Sequence, residues 1–230
     1  MHPAVLRLLA SFTFWPSKGL GNFMAVQFPP RLFVTGTDTG VGKSYVSALL
    51  AVGLAATYWK PVQSGAETDA DWLRCVTGLP AERLWPESYL LRAPLSPHEA
   101  ARREGVQIAM GSFALPDCKR LVVEGAGGVM VPLNDKHLMI DLIAELALPV
   151  LVVARSELGT INHTLLTLQQ LRQRDCSILG VVVNGPANEA NCRAIAEYGK
   201  VRVLAEIDQR VDLSPANTAA LFERYFGANG

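Results

Sequence analysis

Long apolar runs are missing from the 230-residue chain: no segment reaches the roughly 18 uninterrupted apolar residues of a membrane-spanning helix. An excess charge of either sign is missing too. With 21 basic and 21 acidic residues there is no net attraction toward nucleic acid or an anionic membrane, so neither is expected as a partner and any phosphate site must be local. Paired cysteines are lacking as well. Cys75, Cys118, Cys176 and Cys192 show no C-x-x-C or zinc-type spacing, the usage of reduced thiols in a cytoplasmic protein. Nor is there an internal repeat, a low-complexity tract or an interdomain linker.

What is present is half hydrophobic, enough at this length for one core burying roughly 70% of the surface of the unfolded chain. The opening stretch "MHPAVLRLLASFTFWPSKGLGNF" imitates a secretion signal poorly, because Ser11 and Thr13 interrupt its apolar run and no A-x-A-like cleavage site follows. Residues 1–24 therefore read as a disordered extension, or as the product of a start placed too early with Met24 the true one. A single domain is expected over 25–230.

From residue 31 onward, short β-branched runs alternate with stretches of helical period, the pattern of a parallel sheet covered by helices. Strands are predicted at 31–36, 57–62, 120–125, 149–154, 178–184 and 201–206. Helices are predicted at about 42–55, 70–77, 97–104, 138–147, 161–174, 188–198 and 214–226. The region 64–118 is the least regular and a natural place for substrate contacts.

The strand "RLFVTG" runs into "TDTGVGKS" and then into "YVSALLAVGL", whose apolar residues recur at helical spacing. That is the strand, loop, helix context of a phosphate loop, although the strict G-x-x-x-x-G-K-[ST] pattern wants glycine where Thr37 stands. Gly40 and Gly42 let backbone N–H groups face an anion. Lys43 can reach terminal phosphates, and the Ser44 hydroxyl can ligate Mg²⁺. A dinucleotide fingerprint fails, because its third glycine would fall on Tyr45. The fold class is therefore α/β, a doubly wound, mostly parallel sheet of the P-loop NTPase type.

Two further stretches are placed to share that crevice, since ligands bind at the carboxyl ends of parallel strands. "YWKPVQSG" offers Lys60 and Ser64 at the end of the second predicted strand, with Asp69 shortly after as a helix cap or a second carboxylate for Mg²⁺. "LVVEGAGGVMVPL" ends an apolar strand on Glu124, followed by Gly125, Ala126 and Gly127, and reads as a Walker-B-type acid. "SPHE" (96–99) is a complete capping box by sequence and is explained by structure alone. His98 and His163 have no evident partner and are assigned no catalytic part.

Taken in order over about residues 31–207, "GTDTGVGKS", "KPVQSG", "PLSPHEAA", "VEGAGGVMVPL", "ARSELGTINHTLLTLQQLR" and "VVVNG" resemble the dethiobiotin synthetase family. The resemblance accounts for Thr37, because the family carries the same lengthened loop. It implies a homodimer that joins CO₂ to 7,8-diaminopelargonic acid with MgATP, giving dethiobiotin, ADP and phosphate. Lys43 would neutralise the ATP phosphates, and Lys60 would be the active-site lysine beside the substrate carbamate and the γ-phosphate. Ser44, Asp69 and Glu124 would hold Mg²⁺. Gly40, Val41, Gly42, Tyr45, Gly125, Ala126, Gly127, Asn184 and Gly185 would complete the ATP site, with Asn184 at the adenine edge. Thr39 and Ser64 would contact the substrate, and Gly159, Thr160, Ile161 and Asn162 would reach its carboxylate across the dimer interface. Gly40 departs from the larger residue often found there, and "EIDQRVD" lacks the proline-aromatic sequence some members place around the base.

Two other classes share parts of this pattern. Switch ATPases that partition chromosomes or septa carry an extra lysine early in the loop, where this chain has Thr37, Asp38 and Thr39, and usually a basic face or membrane-targeting tail. Amidotransferase-type synthetases append a glutaminase domain, for which the chain has no room.

Overall fold

A computed structural model describes residues 26–208 and 211–227. The expectation for residues 1–24 lies outside the described residues, as do positions 209 and 210 of "EIDQRVD".

Seven strands form one parallel sheet. In chain order they are β1 (Arg31–Gly36), β2 (Thr57–Trp59), β4 (Leu84–Trp85), β6 (Leu121–Gly128), β7 (Val150–Arg155), β8 (Ile178–Asn184) and β9 (Val203–Ile207), and in space they run β4-β2-β6-β1-β7-β8-β9. Side-chain alternation splits the core in two. Leu32 and Val34 of β1 face one cluster, with α1 (Lys43–Gly53), α2 (Asp69–Thr77) and α7 (Thr218–Phe226). Phe33 faces the other, with α3 (Pro97–Glu104), α4 (Met139–Leu146), α5 (Thr160–Gln173) and α6 (Glu189–Gly199). Both faces are covered, which is why the central strands are apolar at nearly every position.

The expected strand at 57–62 is broken. β2 stops at Trp59, because Pro61 has no N–H to continue the ladder, and the chain resumes as β3 (Val62–Ser64), paired in parallel with β5 (Tyr89–Leu91) in a separate two-stranded sheet. Lys60 therefore follows the carboxyl end of β2 directly, at a break between two sheets. Glu124 does not end its strand: β6 continues to Gly128. Its register with β1 slips between the pairs Val34–Glu124 and Gly36–Gly128, so the glycine run bulges beside the phosphate loop. The capping box at Ser96 does not form. Pro97 opens α3 as expected, but the Ser96 side chain makes no cap, and Glu99 instead binds Arg102 and Arg103 at 2.8 Å.

Candidate functional site

The phosphate loop spans residues 37–42, between the end of β1 and the start of α1. Gly42 is the helix N-cap at φ 95°, a conformation open to glycine without strain. The first intrahelical bond is Val46 N–H to Gly42 O at 3.1 Å, so the N–H groups of Lys43, Ser44 and Tyr45 have no partner within the helix. They stand at the positive end of the helix dipole, ready for an anion. Gly40, at φ 74°, has open space where a side chain would be.

Neighbouring side chains fix the loop. Lys43 Nζ donates to Asp38 O (3.0 Å), Asp38 Oδ1 accepts the Thr39 N–H (2.7 Å), and Arg155 donates to Asp38 Oδ2 (3.0 Å). Asn184, at the end of β8, donates from Nδ2 to Val41 O at 2.8 Å, and Gly185 N–H bonds Ile207 O. The expected adenine-side residue thus also holds the loop. Tyr45 offers an anion only its backbone, because its side chain is buried and its hydroxyl donates to Val211 O at 2.7 Å.

Beside the loop, charged groups from three elements converge. Alternation puts Val122 and Glu124 of β6 on the face that packs against α1, and Glu124 is wholly buried. Ser44 Oγ lies 2.7 Å from Asp69 Oδ1 and 2.9 Å from Glu124 Oε1. Asp69 is the first residue of α2; the cap is Thr68, whose side chain accepts the Asp71 N–H. Lys60, also buried, pairs with Asp69 and lies 3.3 Å from Glu124 Oε1. Tyr58 of β2 donates to Glu124 Oε2 at 3.0 Å. Burial alone would push the Glu124 carboxyl up, but Lys60 and Lys43 hold it below the ordinary value. Burial lowers Lys43 to about 8 against the opposing pull of Glu124, and burial beside Glu124 raises the Tyr58 phenol well above its usual range.

Ser64 ends β3 with its hydroxyl oxygen buried and without a hydrogen-bond partner. Gly127 (φ 65°) brings the β6 bulge against the loop, since a Cβ there would stand 3.5 Å from Thr39 Oγ1 and 2.7 Å from Val131 Cγ2. A cleft of about 350 Å³ opens alongside, lined by Thr37, Asp38, Met130, Val131, His163 and Leu166 among others. Gly159–Asn162 form the start of α5 beyond it. Thr160 is buried and Ile161 packs on the core, while Gly159 and Asn162 are exposed. Asp38, Arg155 and Tyr58 are site residues that sequence reasoning missed, because their partners lie far away in the chain.

A parallel sheet whose first strand enters a glycine loop and a Lys-Ser helix start, with a strand carboxylate alongside, defines a P-loop NTPase. The model of the AAA domain family matches residues 30–217. The chain is 54% identical over 191 residues to the ATP-dependent dethiobiotin synthetase BioD of Paramagnetospirillum magneticum, across 83% of this chain and 93% of that one. It is 47% identical over 199 residues to BioD of Brucella ovis (85% and 94%), and 48% over 200 residues to the biotin biosynthesis bifunctional protein BioCD of Bordetella avium, across 85% of this chain and 43% of that protein. The chain belongs to the ATP-dependent dethiobiotin synthetases, ligases of biotin biosynthesis.

Proposed function

We propose that the enzyme carboxylates 7,8-diaminopelargonic acid and closes its ring with CO₂ and MgATP, working as a cytoplasmic homodimer. The observation that carries this reading is the convergence of Lys43, Lys60, Ser44, Asp69 and Glu124 on the phosphate loop.

One amine of the substrate adds to CO₂ and loses a proton, giving a carbamate. A carbamate oxygen attacks the γ-phosphorus of ATP as the bond to ADP breaks. The second amine then attacks the carbamate carbon of this mixed anhydride, phosphate leaves, the attacking nitrogen gives up a proton, and the cyclic urea of dethiobiotin remains. Protein groups do little covalent work in phosphoryl transfer, so positioning and charge neutralisation carry the rate. Lys43 and the first N–H groups of α1 meet the β- and γ-phosphates, and Lys60 meets the transferred group and the carbamate. The Ser64 hydroxyl and Thr39 would contact the substrate, and the bulge at Gly125–Gly127 would border the ATP phosphates. Gly159–Asn162 would take the substrate carboxylate across the dimer interface, and Asn184 with Gly185 borders the base.

Ser44, Asp69 and Glu124 fit a magnesium ion: they are hard oxygen donors, and Ser44 Oγ lies within 3 Å of both carboxylates. When bound, the ion neutralises charge on the phosphate oxygens. Lys60, beside the same carboxylates, would stand next to that ion and add its own positive charge toward the transferred phosphoryl.

ATP hydrolysis by the full chain, assayed with and without diaminopelargonate and bicarbonate, tests the reading. Phosphate release is expected to depend on both additions and to match dethiobiotin formed. Turnover indifferent to the diamine would leave a switch ATPase instead.

A further inference from the structure

Tyr58 has no part in the reaction as written, yet its hydroxyl is spent on the carboxylate at the centre of the site. It stands on β2 opposite Val122 of β6, and the parallel register puts both side chains on the α1 face. The phenol reaches one step further along β6, to Glu124, and both residues have 0% exposure. A phenylalanine would fill the same space without burying a hydroxyl, so packing does not explain the oxygen.

The two oxygens of Glu124 face different partners. Oε1 lies 2.9 Å from Ser44 Oγ and 3.3 Å from Lys60 Nζ, while Oε2 lies 3.0 Å from Tyr58 OH. The terminal torsion of a glutamate is broad and nearly two-fold, so an untied carboxylate can turn either oxygen, or both, toward a cation. A tie on Oε2 keeps Oε1 turned toward Ser44, whose hydroxyl also meets Asp69. We infer that Tyr58 is a positioning residue for the magnesium site, orienting Glu124 so that it offers the cation one oxygen and not two. The inference rests on Glu124 being a metal ligand, as in the proposed function. Outer partners of this kind typically change metal affinity by about 10–100-fold.

The test uses the full chain with saturating ADP and Mn²⁺ as probe, free Mn²⁺ being read by electron paramagnetic resonance. Tyr58→Phe is expected to weaken Mn²⁺ binding about tenfold while metal-free ADP affinity stays at the wild-type level. The Mg²⁺ concentration for half-maximal turnover should rise by the same factor, with kcat at saturating Mg²⁺ little changed. Wild-type Mn²⁺ affinity in Tyr58→Phe, alongside lost affinity in Glu124→Gln, overturns the role of Tyr58 and leaves the metal site standing. Wild-type affinity in Glu124→Gln overturns the metal site and the inference with it. 3-Fluorotyrosine at position 58 keeps the hydroxyl and gives a second readout in the intact fold. Its ¹⁹F resonance should move when Mg²⁺ joins the ADP complex, and an unmoved resonance counts against the tie.

Discussion

Lys60 answers to two carboxylates at once, and the consequences of removing it follow from that. It pairs with Asp69 and Glu124 in a site where it is 7% and Glu124 0% exposed. Lys60→Ala should lower turnover by about 10²-fold, the usual cost of one prearranged donor on a developing charge, and leave ATP affinity within a few-fold. Single-turnover release of ³²P-phosphate in the presence of diamine and bicarbonate measures the first effect, and equilibrium ATP binding the second. The same change leaves Asp69 without its ion-pair partner and Glu124 with Lys43 as its remaining nearby cation. The metal-free variant should therefore be less stable by about 3 kcal/mol, as when one partner of a buried pair is lost. Added Mg²⁺ should recover part of that loss in urea melts; a loss untouched by Mg²⁺ would count against a cation site at these acids.

Helix ends carry much of the local specification. Asp141 Oδ2 accepts the N–H of Leu138, the N-cap of α4, at 2.7 Å, and its other oxygen meets Arg174. Although burial pushes its carboxyl up, the Leu138 N–H and Arg174 bring it below the ordinary value. A depressed folded pKa means stability that is present above the unfolded value of about 3.9 and lost as pH falls through the folded one. Asp141→Asn should cost about 1 kcal/mol at pH 7, and the gap from wild type should close as pH falls through the lowered folded pKa. Paired denaturation curves at pH 7 and along an acid series decide it. Lys200 closes α6 in the left-handed region (φ 45°, ψ 50°), where glycine is favoured, so Lys200→Gly should stabilise by about 1 kcal/mol in the same assay. The long periodic helices and buried strands were legible in sequence because their periods repeat. β4 and β5 were not, being two and three residues long, too short for any period to show. The break at Pro61 was written in the sequence but outweighed by the apolar run around it. Of the site, Lys43, Ser44, Lys60 and Glu124 could be read because each sits in a contiguous motif at the sheet's carboxyl edge. Tyr58, Asp38 and Arg155 could not, since their partners are 66 and 117 residues away and meet them only through register.

At the scale of the molecule, the strand order β4-β2-β6-β1-β7-β8-β9 brings residues from positions 43 to 124 together at one edge of a single sheet, an order no local pattern encodes. Ligands that bind only this folded edge stabilise the whole: at a hundredfold excess over Kd the gain is about 2.7 kcal/mol, or about 5–10 °C in a chain of this size. Mg²⁺ with ADP should raise the melting midpoint by that amount, ADP with a chelator by clearly less; equal shifts would argue against metal at the site. The two acids, finally, belong to parts of the protein with different lifetimes. Glu124 is built into a central strand, so its amide should exchange with solvent only when the entire sheet comes apart. Asp69 rides on the first turn of a nine-residue helix with two buried residues, which can open by itself. Hydrogen exchange should therefore be orders of magnitude faster at Asp69 than at Glu124. Any opening of the site during turnover then belongs to the helix, with the sheet as the fixed jaw.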